Sequence, residues 1–147
     1  MTLEELAAHE GIRHTMATYN HAGDGDDAET YASTFTKDGI FENPGLFHHV
    51  GRDAILAWKK DHRVFTTASF RMHNVSTILI NLTGPDSADV RSNWIAITDV
   101  GPDHAGRYID QFSLTADGWK IAHRRVEMLW VADYSLLSGP SASPEQT

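Results

Sequence analysis

Apolar residues recur at helical spacing in the first third of the chain and at strand spacing in the second half. Leu6, Ile12, Met16, Tyr19 and Gly23 form the stripe of a first helix. Thr2 and Glu5 have capping-box spacing, which predicts a start near Leu3. Gly23 and Gly25 end it. Asp26 or Asp27 can cap a second helix with the stripe Ala28, Tyr31, Ala32 and Phe35. Lys37-Asp38-Gly39 reads as a turn and 40–42 as a short strand, stopped by Asn43-Pro44-Gly45 and paired with 46–50. Asp53 can cap a third helix, whose stripe is Ile55, Trp58, His62 and Phe65.

After Ala68, residues 70–82, 88–100, 106–115 and 119–130 read as strands. Gly84-Pro85-Asp86, Gly101-Pro102-Asp103 and Ala116-Asp117-Gly118 supply turn chemistry between them. Four successive strands with short links predict an antiparallel meander. Helices first and strands later give an α+β order, with a curved sheet, helices on one face and a pocket between the layers. One domain is expected over 1–134, and the Ser/Pro/Gly-rich segment 135–147 reads as a disordered tail.

Composition narrows the function classes. A net charge of −8 with scattered Lys and Arg argues against nucleic acid or an anionic membrane as partner. The absence of cysteine removes disulfides and thiolate chemistry and is compatible with a reducing compartment. The acidic N-terminus has no signal-peptide character, and no apolar run is long enough for a bilayer, so a cytoplasmic protein is expected. Neither H-E-x-x-H, Cys/His spacing nor an EF-hand loop occurs, and neither does a G-x-G-x-x-G, P-loop or G-x-S-x-G motif. No metal and no cofactor are expected.

The candidate chemistry rests on Asp24, at the end of the first helix, and His73, in the first long strand. Histidine's ordinary pKa near neutrality suits a proton-accepting imidazole, and a carboxylate on one ring nitrogen fixes its tautomer and stabilises the imidazolium. The competing reading leaves His73 half-exposed on a strand and Asp24 in a turn. Tyr19, on the apolar stripe before Asp24, can donate to a leaving or carbonyl oxygen or can be an aromatic core residue. Asp110 and Arg124 each interrupt an apolar strand face. A three-residue Ala116-Asp117-Gly118 loop puts them opposite one another and matches apolar faces. That pair can be structural glue, or it can steady an anionic intermediate. Trp58, His62, Trp94 and Met128 are candidate cavity walls for a small hydrophobic substrate. Tyr31, Phe35, Phe47 and Met72 read as core, with some of them lining the cavity. Adjacent His48 and His49 point to opposite faces of a strand. His21, His104 and His123 read as loop or surface residues.

Over residues 3–130 the chain resembles the SnoaL-like branch of the NTF2-like superfamily. The resemblance is carried by the Tyr19…Asp24 helix end, Gly51-Arg52-Asp53-Ala54-Ile55, His73-Asn74-Val75, Gly106-Arg107-Tyr108-Ile109-Asp110 and Asp117-Gly118-Trp119-Lys120-Ile121…Arg124. It implies a cone-shaped α+β fold with three N-terminal helices enclosing a cavity. It also implies assembly as a homodimer or homotrimer. Asp24 and His73 look like the dyad of lindane dehydrochlorinases, and Tyr19 is similar to the tyrosine of scytalone and bile-acid 7α-dehydratases. The implied activity is a cofactor-independent elimination on a small hydrophobic cyclic or aromatic compound. In that reaction His73 abstracts the proton, Asp24 orients His73, and Tyr19, helped by Arg124, serves the leaving oxygen. An isomerase using the same dyad is the alternative, as is a non-catalytic ligand-binding or assembly subunit.

Overall fold

The computed structural model describes residues 1–61 and 67–137. Helix α1 spans Leu3–Asp24. Thr2 Oγ1 accepts from the Glu5 N–H at 3.1 Å and the Glu5 carboxylate accepts from the Thr2 N–H at 2.7 Å, so the expected capping box forms. Ala8, Ile12, Met16 and Tyr19 are buried along one side, but Leu6 is exposed. Six residues before Ile12 is about 120° around a helix, whereas Ala8, four before it, falls on the same face.

Asp27 caps α2, Ala28–Ser33, by accepting from the Thr30 N–H at 3.1 Å. The helix stops short of Phe35, which opens strand β1, Phe35–Asn43. The strand is therefore longer than expected, and Lys37-Asp38-Gly39 is an irregularity within it rather than a turn. Gly39 permits this, because a Cβ there would lie 3.1 Å from the Ile121 carbonyl oxygen. β2 is Phe47–Val50 and pairs antiparallel with β1. α3 spans Arg52–Asp61, so Asp53 lies in its first turn instead of capping it. His62 and Phe65 lie outside the described residues.

The four long strands are β3 Arg71–Gly84, β4 Ser87–Thr98, β5 Gly101–Thr115 and β6 Gly118–Val131. They form the expected meander within one sheet of order β2-β1-β6-β5-β4-β3. β1 runs parallel to β6, unlike every other neighbouring pair. α1 packs against both β6 and β3, which are separated by two strands in the sheet. A single helix reaches both because the unclosed sheet curls around it.

Bulges interrupt the sheet, and two of them set which candidate residues face one another or face inward. The β4–β5 turn falls at Asp99-Val100, two residues before the expected one, and Gly101 enters β5 with φ of 90°. Asp103 is then left unmatched between the Ile97↔Pro102 and Ala96↔His104 pairs. In the last hairpin Thr115 pairs with Gly118 across a two-residue turn, not the expected three-residue loop. Ala122 is the extra residue that shifts the register, so Asp110 still comes opposite Arg124. Met72, expected in the core, is 55% exposed because it alternates with His73 along β3. The C-terminal segment expected from Ser135 begins with three described residues held against β5, where Ser135 Oγ and the Leu136 N–H both donate to Asp103. Residues 138–147 lie outside the described residues. Among the described residues no helix is long and apolar enough to cross a membrane.

Candidate active site

Asp24 is the last residue of α1, where the helix presents its carbonyl ends and a carboxylate is poorly placed by itself. The start of β3 compensates. The His73 backbone N–H donates to Asp24 Oδ2 at 2.8 Å, and His73 Nδ1 lies 2.6 Å from Asp24 Oδ1. Burial raises the Asp24 carboxyl, but the bonds from His73 and the charge of Arg71 outweigh it and hold it below the ordinary carboxylate value. An ionised carboxylate only accepts, so Nδ1 carries the proton in this contact, and in the neutral ring Nε2 then presents its lone pair. Asp24 and His73, predicted as partners, meet.

His73 lines a cavity of about 550 Å³ between the helices and the sheet. Tyr19, Trp58, Trp94 and Met128 line it too, as expected. Tyr31 and Tyr108 share its wall. The Tyr31 hydroxyl donates to Tyr19 Oη at 2.7 Å. The Tyr19 O–H itself has no acceptor among the described residues. Burial raises all three phenols, Tyr31 and Tyr108 well above their ordinary value, so Tyr19 is a neutral donor.

Asp110 and Arg124 are brought together but do not line the cavity. Arg124 Nε and Nη2 donate to the two Asp110 carboxylate oxygens at 2.8 and 2.7 Å, and both side chains are fully buried. The guanidinium carbon lies 4.2 Å from the Tyr19 ring centre and 3.8 Å from that of Tyr108. The pair stands behind the two tyrosines, out of a substrate's reach. Burial opposes the Arg124 charge, but Asp110 holds its pKa above the ordinary value.

Several wall residues carry no signal in the sequence. Lys59 is buried, lines the cavity and donates to the Gly23 carbonyl oxygen at 3.2 Å. Burial, then Arg71, lowers its pKa, and Asp26 opposes the shift. His49 also faces the cavity, while His48 faces outward and lies 3.0 Å from Glu42.

His104, expected at the surface, is 8% exposed and lines the cavity. Adjacent strand residues normally point apart, but the bulge at Asp103 turns both residues inward. His104 Nδ1 lies 2.7 Å from Asp103 Oδ1. Burial opposes ionisation of Asp103, but bonds from Leu136, Ser135, His104 and Thr98 hold its carboxyl down at about 2. Burial lowers His104, against the raising effect of Asp103. A misplaced turn hides this pair from a reading by alternation. Among the described residues, no group of three or more potential ligands is placed to hold a metal ion.

Residues 4–125 match the model of the SnoaL-like domain. No curated protein sequence matches the chain. Among solved structures, it is similar to a protein from Novosphingobium aromaticivorans named as a candidate scytalone dehydratase, with 26% identity, 95% of each chain covered and a TM-score of 0.79. It is also similar to an NTF2-like protein with a cystatin-like fold from the same species, with 25% identity, 98% of this chain and 91% of that one covered, and a TM-score of 0.76. A hexachlorocyclohexane dehydrochlorinase from Novosphingobium barchaimii shares the fold at a TM-score of 0.77 with 14% identity, over 93% of this chain and 99% of that one.

Proposed function

The chain belongs to the SnoaL-like domain family, and we propose that it is a cofactor-independent lyase of dehydratase type acting on a small hydrophobic cyclic or aromatic substrate. The observation that carries this reading is the 2.6 Å bond between Asp24 Oδ1 and His73 Nδ1 beside an aromatic-lined cavity. The relative named as a candidate scytalone dehydratase supports the reaction class.

His73 Nε2 takes a proton from a carbon next to an activating group. Asp24 keeps the ring in the Nδ1–H tautomer and stabilises the imidazolium that forms. The Tyr19 hydroxyl, whose oxygen accepts from Tyr31, donates to the departing or enolic oxygen. Arg124 acts on Tyr19 through the ring face without touching substrate. If the substrate has no leaving group beside the abstracted proton, the same dyad returns the proton elsewhere and the net reaction is isomerisation.

The test is a screen of scytalone and of hydroxylated and halogenated cyclic compounds, followed by ultraviolet absorbance and by deuterium exchange from solvent. Turnover that drops roughly 100-fold or more in His73→Ala and Asp24→Asn supports the assignment. Ligands that bind without turnover or exchange, or activity that survives His73→Ala, would make the domain a binding or assembly module instead.

A further inference from the structure

The cavity contains a second imidazole that the proposed proton abstraction does not use. His73 on β3 pairs across the sheet with Ala96 on β4, and Ala96 pairs with His104 on β5. The two histidines therefore lie in one cross-strand row, separated only by a methyl side chain. Their ring centres are 6.1 Å apart with the planes at 77°. Trp94 packs against both, at 5.8 Å from His73 and 5.6 Å from His104.

Each ring is held by a carboxylate at Nδ1, Asp24 for His73 and Asp103 for His104. Neither Nε2 has a hydrogen-bond partner among the described residues, although His104 is buried. Asp103, 0% exposed, also accepts from Thr98 Oγ1 at 2.9 Å, from the Leu136 N–H at 2.8 Å and from Ser135 Oγ. Its orientation is fixed from three segments of chain. Two acid–base groups about 5–9 Å apart are a common arrangement for flanking one scissile bond.

We infer that His104 is a second catalytic residue, the general acid that protonates the leaving oxygen while His73 removes the proton from carbon. This rests on the lyase reading above. His73 Nε2 takes the carbon-bound proton, the C–H electron pair becomes the new double bond, and the C–O bond breaks. The departing oxygen takes the proton from His104 Nε2–H and leaves as water. His73 ends as imidazolium and His104 as neutral imidazole. Proton exchange with solvent resets both rings, with no oxidant or further reactant. Asp103 is a positioning residue that keeps Nε2 directed to the cavity. The active form thus pairs neutral His73 with an imidazolium at His104, a cation that burial disfavours and the Asp103 carboxylate stabilises. Besides Asp103 on its own strand, the titratable group facing His104 is His73. Thr98 and Trp94 on β4 and Ser135 and Leu136 in the C-terminal segment carry no charge.

Two experiments test the inference. The first uses a substrate found in the screen, in forms that lose hydroxide or halide from the same carbon. A halide leaves without protonation, so His104→Gln is expected to slow loss of water roughly 100-fold and loss of halide by less than about threefold. His73→Gln slows both. If His104→Gln leaves dehydration intact while His73→Gln abolishes it, the second acid is wrong and the lyase reading stands. If neither substitution matters, both fall. The second experiment needs no substrate. Nitrogen-15 NMR of the imidazoles should show neutral His104 as the Nδ1–H tautomer, with Nε2 taking up the proton on acidification, and should show its titration moving to higher pH in His73→Gln, because a like charge has been removed. An Nε2–H tautomer, or the same His104 titration in both proteins, overturns the inference. Melting temperatures within a few degrees of wild type show that the variants are folded.

Discussion

Replacing Arg124 by methionine keeps much of the side chain's length and removes its charge. Asp110 has no other hydrogen-bond partner among the described residues, and it is 3% exposed. The substitution thus leaves a buried carboxylate without a counter-charge, which costs about 3–5 kcal/mol. The loss of two stacked aromatic faces, 4.2 and 3.8 Å from the guanidinium carbon, adds about 1 kcal/mol or more. Together these approach the whole stability of an ordinary domain, about 5–15 kcal/mol. The double variant Asp110→Leu/Arg124→Met removes both charges, and it should recover most of the loss, because apolar groups of similar volume commonly replace a buried pair at little cost. Urea unfolding followed by circular dichroism and tryptophan fluorescence measures all three differences. A single variant within about 1 kcal/mol of wild type, or a double variant no more stable than the single, would refute the argument that an unpaired charge is what the pair prevents.

The Asp103 carboxyl lies at about 2 in the fold against 3.8 ordinarily, so its contribution is present above about pH 4 and is lost as pH falls toward 2. Asp103→Asn should remove about 2 kcal/mol at neutral pH and flatten acid unfolding in that window, as read from urea midpoints at several pH values. At Gly106 a Cβ would collide with the Glu127 carbonyl oxygen and lie 2.7 Å from Trp94 Cζ2, so Gly106→Ala should lower the melting temperature by several degrees and shift tryptophan emission. Unchanged emission would show that Trp94 is not held there. Tyr31→Phe deletes the 2.7 Å bond to Tyr19 and should cost about 1 kcal/mol in urea unfolding while leaving the cavity volume nearly intact. No measurable cost would mean that water replaces the lost donor.

What was legible in the sequence is what local chemistry determines. The capping box at Thr2, the Asp27 cap and the meander of long strands all follow from residues within a turn of one another. The parallel β1–β6 pair joins the two ends of the fold, and no pattern near Phe41 announces that its partner is Arg124. The contact between Asp24 and His73 bridges 49 positions, and no spacing rule reaches so far, so resemblance rather than periodicity singled it out. The bulges were illegible for a different reason. Alternation assigns a face to every residue by counting, and one unmatched residue inverts the count beyond it. At Ala122 that inversion happened to preserve the Asp110–Arg124 pairing. At Asp103 it moved His104 from the expected surface into the cavity.

The two histidine–carboxylate pairs at the cavity stand where regular structure breaks, one at a helix terminus and the other at a bulge. Within a regular strand, neighbouring side chains diverge, and a carboxylate next in sequence cannot reach the ring beside it. Within a helix, the chain supplies partners only three and four residues away. In each cavity pair the carboxylate bonds Nδ1 from outside that periodicity and leaves Nε2 toward the cavity, whereas the outward-facing His48 meets Glu42 across a regular strand pair. α1 provides it for His73 by ending at Asp24, and the bulge provides it for His104 by admitting Asp103 to the same face. The short Ala96 between the two histidines in their cross-strand row then leaves the space in which both rings meet the cavity.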